Sequence, residues 1–227
     1  MRRGLIWRSL AQAESLRPGH AVDVGGEAGH AAYAVAPFCA RTDTIDAGAS
    51  MLTVVAEEAR RRGLAHLRTI RAQTARLPYP NACVDLVTCR YSAHHWLDLG
   101  AGLAEIRRIL RPQGVLLVTD SAGAANPLVD THVQTIELLR DPSHVRNRRP
   151  DEWEDALDRA GFVLNASERS RIRLRFADWV ARARTPADRI AVIRDILTRG
   201  PAGVRAVLDV QNDGSFLLDV IALVARA

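Results

Sequence analysis

At 227 residues, of which 48% are hydrophobic, the chain is long enough to bury one substantial core. The formal net charge is +5, but the basic residues are all arginines scattered among acids, which argues against a nucleic-acid-binding surface. No run of about 20 apolar residues is present, and the segment beginning Met1, Arg2 and Arg3 lacks the apolar core of a signal peptide. These features predict a cytoplasmic protein whose partners are neither membranes nor nucleic acids.

The three cysteines, Cys39, Cys83 and Cys89, are odd in number, show no CxxC spacing and lie in apolar surroundings. They predict reduced thiols rather than disulfides or a metal site. The sequence also lacks a GxSxG elbow, a P-loop and an HExxH motif, which removes several common hydrolase, phosphate-binding and metalloenzyme classes.

Short apolar runs alternate with amphipathic stretches along the first two thirds of the chain. Strands are predicted at residues 21–24, 42–45, 67–70, 84–89 and 115–119. Helices are predicted at residues 30–36, 50–62, 103–110, 126–139 and 150–160. The last third predicts a strand at 171–176, helices at 177–183 and 186–198, and a strand at 216–224.

This alternation determines the predicted fold class, because parallel strands need crossover helices between them. We expect an α/β protein with a Rossmann-like, doubly wound and mostly parallel sheet that ends in an antiparallel C-terminal edge strand. Residues 1–227 are predicted to form one domain, with a short N-terminal segment at 1–20 and substrate-side insertions at 121–160 and 171–200.

A glycine-rich turn follows the first predicted strand and reads Asp23, Val24, Gly25, Gly26, Glu27, Ala28, Gly29, His30. Ligands of open α/β sheets bind beyond the carboxyl ends of the strands, where such a turn lets the backbone approach them. The spacing differs from the GxGxxG of dinucleotide sites, so a tight turn without a ligand is the alternative.

Asp46 ends the second predicted strand, five residues before Met51 and at the start of a helix. A carboxylate at this place can accept hydrogen bonds from both hydroxyls of a ribose. The alternative is that Asp46 caps the helix that follows.

Further motifs follow at regular intervals: Leu77-Pro78-Tyr79-Pro80, Val84-Asp85-Leu86-Val87-Thr88-Cys89-Arg90, Ala93-His94-His95-Trp96, Leu110-Arg111-Pro112-Gln113-Gly114 and Asp141-Pro142-Ser143-His144-Val145-Arg146. With the glycine turn and Asp46, this ordered series resembles the class I S-adenosylmethionine (SAM) methyltransferases of the ubiquinone/menaquinone-biosynthesis group, with a type 11 methyltransferase domain. The resemblance covers almost the whole chain.

The resemblance implies SAM as cofactor and assigns residues to its parts. It places Asp23, Gly25, Gly26, Glu27 and Gly29 beside the methionine moiety, Asp46 at the ribose, Ala47, Met51, Gln73 and Thr74 at the adenine, and Arg90 beside the cofactor. The family prefers glycine at position 27 and aspartate at position 73, so both residues are departures. Family members also carry a longer N-terminal helical segment over the cofactor than the roughly twenty residues that precede Asp23 here.

Methyl transfer needs orientation and, where the acceptor loses a proton, a base. His94 and His95 follow the fourth predicted strand and are candidate catalytic residues; capping or packing is the alternative. His144, in a segment that often covers the substrate in this family, is a weaker candidate.

We therefore expect a methyltransferase acting on a small-molecule acceptor, with no metal, and a homodimer is a further expectation. The rival hypothesis is a protein with the methyltransferase fold that has lost methyl transfer and works as a cyclase, an isomerase or a binding module. RNA methylation rests only on the positive charge and would need a contiguous basic face.

Overall fold

A seven-stranded sheet organises residues 14–227, the part of the chain that the computed structural model describes. The strands are β1 His20–Val24, β2 Arg41–Asp46, β3 Leu67–Arg71, β4 Val84–Arg90, β5 Leu110–Ser121, β6 Val163–Leu174 and β7 Phe216–Arg226. Their order across the sheet is β3-β2-β1-β4-β5-β7-β6. The short N-terminal segment expected at residues 1–20 lies mostly outside the described residues.

Helices connect most of the strands. They are α1 His30–Val35, α2 Ala49–Arg61, α3 Leu99–Ile109, α4 Pro127–Arg140, α5 Pro150–Arg159, α6 Phe176–Arg182, α7 Ala187–Arg199 and α8 Ala202–Val207. Two 3-10 helices, Ala36–Phe38 and Ala93–His95, follow α1 and β4. No helix in the described part of the chain is both long enough and apolar enough to span a bilayer.

The pairing of the strands confirms the predicted fold class. β1 pairs in parallel with β2 and β4, β2 with β3, and β4 with β5. The C-terminal strands are antiparallel: the N–H of Gln113 donates to the carbonyl of Ala227, whose own N–H donates to Gly114. β7 lies between β5 and β6, so β6 forms this edge of the sheet.

Several element boundaries differ from the sequence expectations, and β5 begins at Leu110 rather than at residue 115. α3 begins at Leu99 rather than at residue 103, because the Asp98 carboxylate caps the N–H of Ala101 at 2.9 Å. β6 begins at Val163 rather than at residue 171, and Phe176 starts α6 instead of ending the strand. Helix α8 was not predicted.

The chain separates into two compact units, the first formed by residues up to 120 with 153–168 and 222–227, the second by 121–152 and 169–221. β6 and β7 contribute residues to both. The first unit buries Ala21, Val35, Leu86, Val115 and Leu117 in one core cluster. The second buries Val133, Ile136, Phe176, Trp179 and Phe216 among others. A single domain over the whole chain stays a prediction.

Candidate active site

The candidate site of the first unit lies at the carboxyl ends of its parallel strands, beginning with the glycine turn after β1. Gly25 and Gly29 have φ angles of 66° and 77°, which glycine adopts without a steric penalty. The N–H groups of Gly25 and Gly26 both donate to the carbonyl of Ile45, at 2.9 and 3.0 Å. These bonds hold the turn against the end of β2.

The turn packs so closely at Gly25 and Gly26 that side chains are excluded from these two positions. A Cβ at position 25 would lie 1.7 Å from Oγ of Ser92, in the turn after β4. A Cβ at position 26 would lie 3.0 Å from both Oδ2 of Asp23 and Oγ1 of Thr44. The two glycines therefore bring the backbone close to the ends of β2 and β4, which a bulkier turn would prevent.

Glu27 is the non-glycine residue of this turn with left-handed backbone geometry, at φ 42°. This is the position at which the sequence departs from the family preference for glycine, and the structure shows why glycine suits it. The N–H of Glu27 donates to Oδ2 of Asp46 at 3.2 Å, so the turn keeps its place despite the side chain.

Asp23, at the end of β1, is 1% exposed. Its carboxylate accepts hydrogen bonds from Oγ1 of Thr88 at 2.7 Å and from the N–H of Ala32 at 3.2 Å. Burial raises the pKa of Asp23 to about 6, against the lowering effect of these bonds and of the nearby Arg90 guanidinium. Asp23 therefore ties α1 and β4 to β1 and supports the glycine turn from beneath.

Asp46 lies half-buried at the end of β2. Its Oδ1 accepts from the N–H of Gly48 at 2.7 Å. Gly48 occupies the N-cap position of α2, and no side chain caps this helix. Asp46 is therefore not the helix cap; its carboxylate closes a turn just before the helix. A carboxylate can accept about four hydrogen bonds, so Asp46 keeps capacity for ligand hydroxyls.

The other residues assigned to the adenine lie on the loops after β2 and β3. Ala47 is exposed, and Met51 is half-buried in the first turn of α2. Gln73 is exposed and its carbonyl accepts from the N–H of Arg76, while Thr74 is half-buried. An exposed amide and a half-buried hydroxyl are groups that can recognise a base edge.

Arg90 ends β4, and Tyr91 is the first residue of the turn that follows. The Arg90 guanidinium carbon lies 4.7 Å from the centre of the Tyr91 ring, and the buried Nε of Arg90 has no hydrogen-bond partner among the described residues. An unsatisfied buried donor is uncommon in proteins and marks a place where a polar ligand group or a water would be stabilised.

His94 and His95 lie together in the 3-10 helix after β4, with ring centres 4.1 Å apart. Nδ1 of His94 lies 2.6 Å from Oδ1 of Asp120, and the N–H of His94 donates to Oδ2 of the same carboxylate at 3.1 Å. The sequence reasoning missed Asp120, although an acid directly after the predicted fifth strand was a signal for it.

His144, the third predicted catalytic residue, belongs to the second unit. It is 7% exposed, and its Nε2 lies 2.9 Å from Oε1 of Gln134 on α4. Gln134 also accepts from the N–H of Asn147 and donates to the carbonyl of the same residue, so His144 is part of a network that orders the segment after α4. A catalytic role for His144 stays a prediction.

The three cysteines are free thiols, two of them buried. Among the described residues, no group of three or more histidine, cysteine, aspartate or glutamate side chains is arranged to hold a metal ion.

The residues present fit SAM. Three features belong to one unit: a turn without side chains at Gly25 and Gly26, a carboxylate at the end of the neighbouring strand, and a buried guanidinium nitrogen of Arg90 that has no partner among the described residues. The sheet and this site define a class I SAM-dependent methyltransferase.

Comparison with known proteins shows the family directly. The methyltransferase domain model matches residues 22–118. The chain is 40% identical to YafE of Escherichia coli K12 over 80% of this chain and 87% of that protein. It is 31% identical to the uncharacterized methyltransferase YcgJ of Bacillus subtilis over 79% and 71% of the two chains. The protein belongs to the class I SAM-dependent methyltransferases and is an enzyme of that family.

The solved structure of YcgJ superposes with a TM-score of 0.91 over 97% of both chains, at 28% identity. The ubiquinone/menaquinone biosynthesis C-methyltransferase UbiE of Cupriavidus necator is 30% identical over 54% of this chain and 52% of its own length. The predicted family and the predicted cofactor SAM are both confirmed.

Proposed function

We propose that this protein transfers the methyl group of SAM to a small-molecule acceptor. The observation that carries the cofactor half of the proposal is the position of Asp46. Its half-buried carboxylate accepts from the N–H of Glu27 in the glycine turn and from the N–H of Gly48 in the loop before α2. One carboxylate thus borders both places at which a nucleoside and an amino-acid moiety would lie.

In this proposal Gly25, Gly26, Glu27 and Gly29 hold the methionine part of SAM above Asp23, and Arg90 supplies a positive charge beside it. Asp46 binds the ribose hydroxyls, and Ala47, Met51, Gln73 and Thr74 surround the adenine. SAM supplies a methyl group on a positively charged sulfur, so the protein has to orient the acceptor and remove water.

The charge distribution supports a small acceptor over RNA. Arginines across both units are held in ion pairs with neighbouring acids, including Arg61 and Arg62 with Glu58, Arg146 with Glu152, and Arg173 with Asp209. An arginine that is paired with a carboxylate neutralises phosphate charge less effectively than an unpaired one, and a strong phosphate-dependent affinity would need a continuous unpaired surface.

Calorimetric titration with SAM and with S-adenosylhomocysteine tests the cofactor half. We expect micromolar binding in the wild type. A hydrogen bond to a charged group contributes about 1.5–3 kcal/mol, so Asp46→Ala should weaken binding by roughly 10- to 150-fold for each ribose bond lost. Asp195→Ala, which removes an exposed carboxylate on α7, is the matched control and should bind like the wild type.

A screen with SAM labelled in its methyl group tests the second half, with hydroxylated, amine and thiol small molecules offered separately from total RNA. Label in a small molecule would support the proposal, and label in RNA alone would refute it. Binding of S-adenosylhomocysteine with no transfer to any acceptor would favour the repurposed-fold alternative. A cytoplasmic location and a homodimer stay predictions from the sequence.

A further inference from the structure

The turn after β4 has a strained backbone that places His94. Tyr91 has a φ angle of 50°, a conformation that is costly for a bulky side chain. Its N–H donates to the carbonyl of Thr119 at 2.8 Å, and the next residue, Ser92, lies against Gly25. Because both sides of the turn are fixed in this way, the 3-10 helix that carries His94 has a defined position at the end of β4.

Asp120, the residue after Thr119 on β5, holds His94 at two atoms. Oδ2 accepts from the backbone N–H of His94 at 3.1 Å, and Oδ1 lies 2.6 Å from Nδ1 of the ring. The side chains of Asp120 and His94 are 1% and 11% exposed, so water competes little for this bond. One carboxylate therefore fixes both the backbone and the ring orientation of the histidine.

This contact selects one tautomer of the ring. A carboxylate accepts hydrogen bonds, so in the neutral ring Nδ1 of His94 carries the proton and Nε2 carries the lone pair. We propose that Asp120 is a positioning residue that holds His94 with Nε2 as the proton acceptor in methyl transfer. The inference rests on the proposed function. It predicts an acceptor whose reacting group still carries a proton when the acceptor binds.

The proton balance follows from this assignment. When an acceptor X–H receives the methyl group, the X–H bond breaks and its electron pair remains on X. An electron pair on X forms the new bond to the methyl carbon. The carbon–sulfur bond breaks at the same time, and its electrons remain on sulfur. The proton passes to Nε2 of His94, which then bears a positive charge beside the Asp120 carboxylate and later releases the proton to water.

The competing explanation is that Asp120 and His94 only connect the ends of β5 and β4. Both explanations predict that removing the pair alters the turn, so loss of activity in an alanine variant would not separate them. The dependence on acceptor acidity does separate them, because a purely structural pair would slow transfer to protonated and ionised acceptors alike. The tautomer of the ring tests the premise that Nε2 carries the lone pair.

The first measurement is nitrogen-15 NMR of the histidine rings in the S-adenosylhomocysteine complex, with His94→Gln to assign the signals. We expect the Nδ1–H tautomer in the wild type. In Asp120→Asn the amide can instead donate to Nδ1, so the Nε2–H tautomer should gain population. His94 in the Nε2–H form in the wild type would overturn the proposal.

The second measurement is methyl transfer to the best acceptor of the labelled-methyl screen and to a derivative made acidic enough to be ionised at the assay pH. We expect His94→Gln and Asp120→Asn to lower kcat for the protonated acceptor by roughly 10²-fold or more, with little change in KM. The ionised derivative, which needs no base, should lose less than about tenfold. His132→Gln, at a ring that contacts the Leu128 carbonyl of its own helix, is the histidine control.

Equal losses for both acceptors, or full kcat in Asp120→Asn, would overturn the proposal. Calorimetry on the same variants separates this result from the proposed function. Wild-type protein that fails to bind S-adenosylhomocysteine would refute the methyl-transfer function itself. Unchanged cofactor affinity in the variants would assign a loss of kcat to the proton transfer.

Discussion

Replacing Glu27 with glycine should stabilise the protein. Glu27 has a φ angle of 42°, and a non-glycine residue in left-handed geometry costs about 1–2 kcal/mol. Glycine removes this cost but gains more freedom in the unfolded chain, which returns about 0.5–1 kcal/mol. The net gain in the free energy of unfolding is about 0.5–1 kcal/mol, or a rise in Tm of about 1–4 °C for a chain of 227 residues.

The control is Glu27→Ala, which removes the carboxylate but retains a Cβ in left-handed geometry. Urea unfolding should show the Glu27→Gly variant to be more stable than the Glu27→Ala variant by about 1 kcal/mol. Equal stability of the two variants would refute the backbone argument. Calorimetry with S-adenosylhomocysteine on the same pair reports the carboxylate separately: stronger binding in both variants indicates that Glu27 intrudes on the site, and weaker binding in both indicates that it is a ligand.

The buried groups support three further predictions. Gly25→Ala should cost about 2–5 kcal/mol of unfolding free energy by urea titration, because its Cβ would collide with Ser92 in left-handed geometry; a loss under about 1 kcal/mol would contradict the close packing. Burial raises the pKa of Asp23 from 3.8 to about 6, so the folded state binds the carboxyl proton more tightly than the unfolded state does. Protonation of Asp23 therefore stabilises the fold below about pH 4, and this contribution is lost by about pH 6. Relative to Asp23→Asn, the wild type should lose on the order of 3 kcal/mol across that window; parallel stability profiles would contradict it. Native iodoacetamide labelling followed by mass spectrometry should modify Cys83 before Cys39 and Cys89, since burial raises the pKa of both buried thiols.

The order of strands and helices could be predicted because each element carries its own local pattern. Most residues of β1 and β4 are buried, and the alternation of their short apolar runs with helices indicates a parallel sheet. β6 was predicted eight residues too short at its start, because its half-buried and exposed residues alternate at the edge of the sheet and mix charged with apolar types.

The sequence by itself determined the fold class, the family and the residues that follow the strand ends, because periodicity and motif spacing are local properties of the chain. Only the tertiary structure decided what those residues do together. Asp46 closes a turn and binds Glu27 instead of capping α2, and Asp23 is buried beneath the glycine turn. His94 acquires a partner, Asp120, that is 26 residues distant in the chain. This last contact arises from the register of β4 against β5, which no local pattern encodes.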